Sequence, residues 1–326
     1  MSSVKIGVIA CADIARRSVI PAILSLTEQY KLSGIASRTK EKAEEFASLF
    51  NTVPYTGYES LLNEAKLDAV YIPLPNSMHA KWIEEGLSRN LHVLVEKSMT
   101  CSYKEVKYLN DLASERGLVL VEHFQFRFHE QLAVILKMVN EGKIGEIRCV
   151  RSSFGFPPFP DPDNIRYKKE LGGGALLDVG AYTLKIAQIF LGQDIEVSSA
   201  NLCYDAQKEV DVWGGAYLRQ KAGPLFAEVA FGFDNFYQCN LEIWGSEGKI
   251  YTNRIFTSPP EFSPKIVIES SNGNDIIAVE PCNHFENMLY HFCSLINTKE
   301  RLATEYEQNI NQARLISDLL TAATLN

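Results

Sequence analysis

The segment VLVEKSM, 93–99, is an apolar run that stops on Glu96-Lys97. In open parallel sheets ligands collect beyond the carboxyl ends of the strands, an unusual place for a merely solvated ammonium. IPLPNSMH, 72–79, follows a second apolar run. Pro73 and Pro75 force an extended turn past Leu74 into a helix capped by Asn76 or Ser77, with His79 in its first turn. A lone histidine is more often a structural hydrogen-bonding group than a catalyst, and both readings of His79 stand.

The turn after the first apolar run reads Ala10-Cys11-Ala12-Asp13-Ile14-Ala15. It occupies the place of the G-x-G-x-x-G/A turn that seats a pyrophosphate at a helix N-terminus. Alanine stands at all three small positions, which still allows close backbone approach. Ala10 is the awkward one, because glycine normally supplies conformations that alanine resists. An ordinary strand-to-helix turn would also suit this run. The next strand end is Ser37-Arg38-Thr39-Lys40, with Lys42 following. A site for NAD(H) usually carries an acidic residue there for the ribose 2′-hydroxyl. A guanidinium instead pairs with a 2′-phosphate and stacks on adenine, so NADP(H) is preferred, with NAD(H) as the alternative.

These residues need a parallel sheet to position them. VKIGVIA (4–10), LSGIASR (32–38), LDAVYIPL (67–74), LHVLVEK (91–97) and LVLVEHF (118–124) are near-continuously apolar at their centres, as strands buried on both faces are. Helical patterns near 13–26, 40–50, 58–64, 77–89 and 102–116 alternate with them, predicting a doubly wound α/β domain over 1–124. Beyond it, a helix at 130–141 ends at Gly142. The runs 146–156, 211–219, 225–233 and 237–245 then alternate polar and apolar residues, predicting a large, mostly antiparallel sheet in an α+β domain over 125–326. A helix at 174–192 interrupts them, and helices return at 284–298 and 304–324, with packing against the first domain as one arrangement.

With 326 residues, two domains are the default. Hydrophobic residues at 46% and charged residues at 22% provide a globular core, and a net charge of -8 argues against nucleic acid as a partner. The seven cysteines lack CxxC spacing or a nearby histidine pair, which argues against a metal site and for reduced thiols in a cytoplasmic protein. The N-terminal run enters a strand directly, and the sequence reads as having no uninterrupted apolar stretch long enough for a membrane span.

Three pieces, VKIGVIACADIARRSVIPAI, YIPLPNSMHAKWIEEGLSRNLHVLVEKSMT and YKKELGGGALLDVGAYTL, occur in this order. Over essentially its whole length the chain resembles the glucose–fructose oxidoreductase/inositol dehydrogenase (Gfo/Idh/MocA) family. The resemblance implies a Rossmann domain followed by a domain whose open sheet builds homodimers or homotetramers. It also implies hydride transfer to or from a sugar, cyclitol, sugar nucleotide or trans-dihydrodiol. The family's Glu-Lys-Pro motif matches Glu96-Lys97-Ser98, and its Asp-x-x-x-His/Tyr motif matches Asp178 and Tyr182. The segment QFRFH, 125–129, is similar to the stretch near the nicotinamide, which makes Arg127 a cofactor-contact candidate.

Two departures stand out. Ser98 replaces a proline that commonly follows a cis peptide; a cis bond before a non-proline residue costs about 2.5–4 kcal/mol, so the Lys97 backbone is expected to sit differently. Ala10 replaces the first glycine.

On this resemblance the reaction expected is a keto-sugar or NDP-sugar reduction. Tyr182 exchanges the proton, Lys97 favours the phenolate and polarises the substrate oxygen, and Asp178 orients a substrate hydroxyl or Lys97; the roles of Lys97 and Tyr182 are interchangeable. Arg166, Tyr167, Lys168 and Lys169 are candidates for a nucleotide phosphate, although solvated loop charge is the preferred reading. A free aldose or dihydrodiol dehydrogenase, and a catalytically silent NADP-binding regulator, are the alternatives.

Overall fold

Six strands of the first unit form one parallel sheet in a computed structural model that describes residues 3–271 and 273–324. They are β1 (Val4–Ile9), β2 (Tyr30–Ser37), β3 (Pro54–Thr56), β4 (Ala69–Ile72), β5 (His92–Glu96) and β6 (Leu120–His123). Their order is β3-β2-β1-β4-β5-β6, the doubly wound pattern in which chain direction across the sheet reverses beside β1. Ile6, Val8, Ile35, Tyr71, Leu94 and Val121 are wholly buried, as strands covered on both faces require. The three-residue β3 escapes the sequence pattern because it is a short edge strand opening on a proline.

The chain divides into two compact units, the first running to His123 and taking in Phe285–Ile310, the second comprising Phe124–His284 and the residues from Asn311. Named hydrogen bonds tie the C-terminal segment into the first unit. Tyr30 Oη donates to the Leu289 carbonyl at 2.6 Å, and Asn309 Nδ2 to the Leu120 carbonyl at 3.0 Å.

The second unit is built on eight strands: β7 (Ile147–Gly155), β8 (Ile195–Tyr204), β9 (Asp211–Gln220), β10 (Phe226–Gly232), β11 (Gln238–Gly245), β12 (Gly248–Asn253), β13 (Lys265–Ser270) and β14 (Gly273–Ala278). Their order is β14-β13-β12-β11-β7-β10-β9-β8. All neighbours are antiparallel except β7 and β10, so the sheet is mostly antiparallel. Val150, Ala227, Val229, Leu241 and Ile243 point into the core, while Arg151, Glu228 and Glu242 stand on the opposite face. There Arg151 pairs with both carboxylates, at 2.6 and 3.0 Å.

The helix foreseen at 174–192 is a π-helical turn, Leu176–Gly180, running into an α-helix, Ala181–Leu191. The longer helical stretch Lys169–Leu191 is apolar enough by length and composition to cross a membrane, which qualifies the sequence reading. However, 78% of its apolar window is buried, so its apolarity is that of a core helix.

Candidate active site

In the first unit β1 is followed by Ala10, whose φ of +104° lies in the region that glycine normally occupies. Its amide donates to the Ala36 carbonyl at 3.1 Å, and Cys11 and Ala12 lead into a helix begun by Asp13 and Ile14. The backbone thus adopts the glycine-type turn without a glycine. The Asp13 carboxylate is exposed and takes Arg16 at 3.1 Å and Arg17 at 2.6 Å. Burial pushes the Cys11 thiol up to about 11, with Ser37 and Lys42 opposing, so it stays protonated at neutral pH. At the end of β2 Ser37 is buried, while Arg38 and Lys42 are exposed, Lys42 lying 3.6 Å from Glu45. A glycine-type turn before a helix N-terminus, together with a basic strand end, fits a 2′-phosphorylated dinucleotide.

The loops after β4 and β5 are braced against each other. Pro73 and Leu74 are buried; the helix Asn76–Ser88 begins after Pro75, so neither Asn76 nor Ser77 is its cap. His79 is fully buried, with Nδ1 2.9 Å from the Ser98 carbonyl and Nε2 2.7 Å from the Leu74 carbonyl. Burial holds its pKa below the ordinary histidine value, against the pull of these carbonyls and of Glu96. Its imidazole links the two loops. Glu96 turns inward: Oε1 accepts from Tyr71 Oη at 2.6 Å and lies 2.5 Å from His123 Nδ1. Burial opposes ionisation of this carboxyl, yet His123, Tyr71 and Lys97 together hold it below the usual range. The Met99 amide donates to Glu122 Oε1 at 2.8 Å. Lys97 is therefore half-buried on a loop fixed on both sides. The Lys97–Ser98 peptide is cis, against the expectation of a differently placed backbone.

In the second unit the glycine run has steric causes. A Cβ on Gly173 would lie 2.5 Å from the Arg166 carbonyl oxygen, and one on Gly174, at φ +111°, would lie 2.2 Å from Asp211 Oδ1. Asp211 is buried and accepts from the Leu176 amide at 2.6 Å, anchoring the turn that carries Asp178. Burial raises its pKa to about 6, opposed by backbone amides.

Arg166 Nε donates to Asp178 Oδ2 at 2.6 Å, and the Asp178 carboxylate is the main cause holding the guanidinium above its ordinary pKa. Four residues on, the Tyr182 ring meets Phe124, Phe126, Phe154 and Phe256 at centroid distances of 5.3–5.8 Å. Its hydroxyl lies 3.4 Å from both the oxygen and nitrogen of the Gln125 amide. Arg127 is half-buried, its guanidinium 5.2 Å from the Phe128 ring.

The structure thus brings Asp178 together with Arg166, and Lys97 with Glu96, His79 and His123. Arg166 reads in the sequence as loop charge; its spacing from Asp178 gives no local signal. Gln125 and His123 were also missed. Gln125 lies in the same short segment as Arg127, and His123 is a polar residue ending an apolar strand; those were the available signals. Among the described residues no cluster of three or more metal-ligating side chains occurs.

A doubly wound dinucleotide-type unit followed by one carrying a phenol four residues on from a fixed carboxylate defines a class: the two-unit nicotinamide-dependent oxidoreductases. Residues 4–124 match the NAD-binding Rossmann-fold model of the Gfo/Idh/MocA oxidoreductases, and 133–251 match the C-terminal domain of the same group. The chain belongs to the Gfo/Idh/MocA oxidoreductase family.

It is 38% identical over 322 residues to the dTDP-3,4-didehydro-2,6-dideoxy-alpha-D-glucose 3-reductase of Actinomadura kijaniata, covering 98% of this chain and 96% of that protein. Identity to the 3-reductase of the same name from Streptomyces antibioticus is 34%, covering 98% and 97%. The crystal structure of KijD10, a 3-ketoreductase from A. kijaniata in complex with NADP and TDP-benzene, superposes with a TM-score of 0.94 at 36% identity, covering 98% of each chain.

Proposed function

We propose that this chain reduces the keto carbon of a nucleotide-linked sugar with NADPH, as a cytoplasmic homo-oligomer. The observation that carries this reading is the chain-long likeness to two dTDP-sugar 3-reductases. When bound, NADPH supplies the hydride to the carbonyl carbon.

The chain's own residues hold the dinucleotide and manage one proton. The backbone of Ala10, Ala12, Asp13 and Ile14 holds the pyrophosphate, and Ser37, Arg38 and Lys42 hold the 2′-phosphate. Pro73, Leu74, Asn76 and Arg127 shape the rest of the cofactor site, while His79 and Glu96 fix the loops that present Leu74 and Lys97. As the carbonyl oxygen gains charge, Tyr182 gives it the hydroxyl proton, so that one hydride and one proton convert ketone to alcohol. The Lys97 ammonium offsets the charge on that oxygen and favours the phenolate left behind. Asp178, held by Arg166, orients the sugar through a hydroxyl.

Oligomer formation is supported by Trp213, Tyr217 and Trp244, exposed on the open face of the second sheet. Seven free thiols support a reducing compartment. The test is NADPH consumption by the purified protein, expected to depend on an added dTDP-linked 3-keto sugar. NADPH binding without consumption across a panel of keto-sugars would sink this reading in favour of a silent regulator.

A further inference from the structure

One loop cluster at an end of the second sheet has the chemistry of a nucleotide-recognition site. β10 ends at Gly232 and β11 begins at Gln238, and the turn between them presents Phe236, 86% exposed, followed by the partly exposed Tyr237. The loop after β12 begins with Arg254 and contains Phe262, which is also exposed. The Arg254 guanidinium lies 5.3 Å from the Tyr237 ring and 5.9 Å from the Phe262 ring. No carboxylate pairs with it among the described residues. Arg254 also has φ +63°, a left-handed conformation that a non-glycine residue holds at a cost and that gathers at ligand sites.

The basic residues before the glycine run are otherwise engaged. Arg166 binds Asp178 at 2.6 Å, Lys168 lies 3.7 Å from Asp163, and Lys169 lies 3.3 Å from Glu209. Arg254 has two aromatic neighbours and no carboxylate partner among the described residues. Its backbone is also linked to the packing around Tyr182. Its carbonyl accepts from Gln131 Nε2 at 3.2 Å, and Phe256, two residues on, is wholly buried with its ring 5.5 Å from that of Tyr182. Two residues of chain span at most about 7 Å. Arg254 is therefore joined through two residues of chain to a ring packed against the phenol, which ties the cluster to the residues around Tyr182.

We propose that Phe236, Tyr237, Phe262 and Arg254 form the subsite for the nucleoside diphosphate of the substrate, the base stacking on the exposed rings and the diphosphate pairing with the guanidinium. Base–aromatic stacking tolerates any base, and arginine combines stacking with phosphate pairing. This inference rests on the nucleotide-sugar reading above and adds the residues that recognise the nucleotide.

The experiment is calorimetric titration of the full chain, with NADPH present, using dTDP as the probe. The wild type is expected to bind dTDP. Phe236→Ser and Arg254→Met are each expected to raise its Kd about tenfold, equivalent to about 1.4 kcal/mol, with the Kd for NADPH unchanged as evidence of an intact fold. If the wild type binds dTDP and both variants bind it equally well, the subsite is wrong while the functional reading survives. If the wild type does not bind dTDP, the nucleotide-sugar reading fails and takes this subsite with it. Should Phe236→Ser dissociate an oligomer in sedimentation and leave dTDP binding unaltered, the rings are a subunit contact and the inference is overturned.

Discussion

Arg166 Nε donates to Asp178 Oδ2 at 2.6 Å, making a loop guanidinium the fixed partner of the carboxylate four residues before Tyr182. The Asp178 side chain is only 13% exposed, so losing its partner would leave a poorly solvated charge. Arg166→Met is expected to lower kcat at least tenfold and to lose about 1–3 kcal/mol of stability in urea denaturation, since charge-assisted hydrogen bonds are worth that much. Arg166→Lys keeps the charge without the planar fork and should recover part of the stability. Unchanged kcat in Arg166→Met would remove Asp178 positioning from the account.

Ala10 offers an unusual direction of change. At φ +104° it carries strain that glycine would relieve, while glycine adds freedom to the unfolded chain. The first effect is the larger, so Ala10→Gly is expected to stabilise the protein by about 0.5–1 kcal/mol and to tighten NADPH binding. A lower denaturation midpoint in the glycine variant would contradict this.

Asp211 sets a pH dependence. Its carboxyl titrates at about 6 in the folded protein, above the ordinary 3.8, because burial disfavours the charged form. A raised folded pKa gives a contribution present in full below pH 3.8 and lost as pH rises through about 6. At about 1.4 kcal/mol per unit the loss is on the order of 3 kcal/mol. Asp211→Asn should flatten stability across that window, read as urea midpoints from below pH 3.8 to above about 6. An identical pH profile in the variant would show that another group is responsible.

The strand ends were legible because strands buried on both faces read as unbroken apolar runs that stop where polar residues begin. Lys97, Arg38 and the Ala10 turn stood out for that reason. Arg166 and Gln125 could not be placed, because each meets its partner only through tertiary folding and neither interrupts a periodic pattern. Strands β8 and β12 to β14 were also missed: β14 is exposed along its whole length at a sheet edge, so no buried face marks it. The π-helical turn at Leu176–Gly180 was hidden inside an apolar helical pattern that continues through it.

Arg38 tests the cofactor preference. Replacing it with a carboxylate removes the cation for a 2′-phosphate and adds repulsion, while offering the ribose hydroxyl an acceptor. Arg38→Asp is expected to lower kcat/KM for NADPH by about tenfold to a hundredfold and to raise it for NADH. Steady-state kinetics with both cofactors checks this, and an unaltered ratio would assign the 2′-phosphate to other residues.

The most direct measurement follows deuterium from the cofactor in single turnovers of the wild type, Lys97→Ala and Tyr182→Phe with a dTDP-linked 3-keto sugar. NADPH labelled at the transferred position should leave its deuterium on the former carbonyl carbon in the wild type. Each variant should do so at least about a hundredfold more slowly, the scale of a lost general acid or its charged partner. Label absent from the sugar, or transferred by both variants at the wild-type rate, would contradict the assignment of Lys97 and Tyr182 to the carbonyl oxygen.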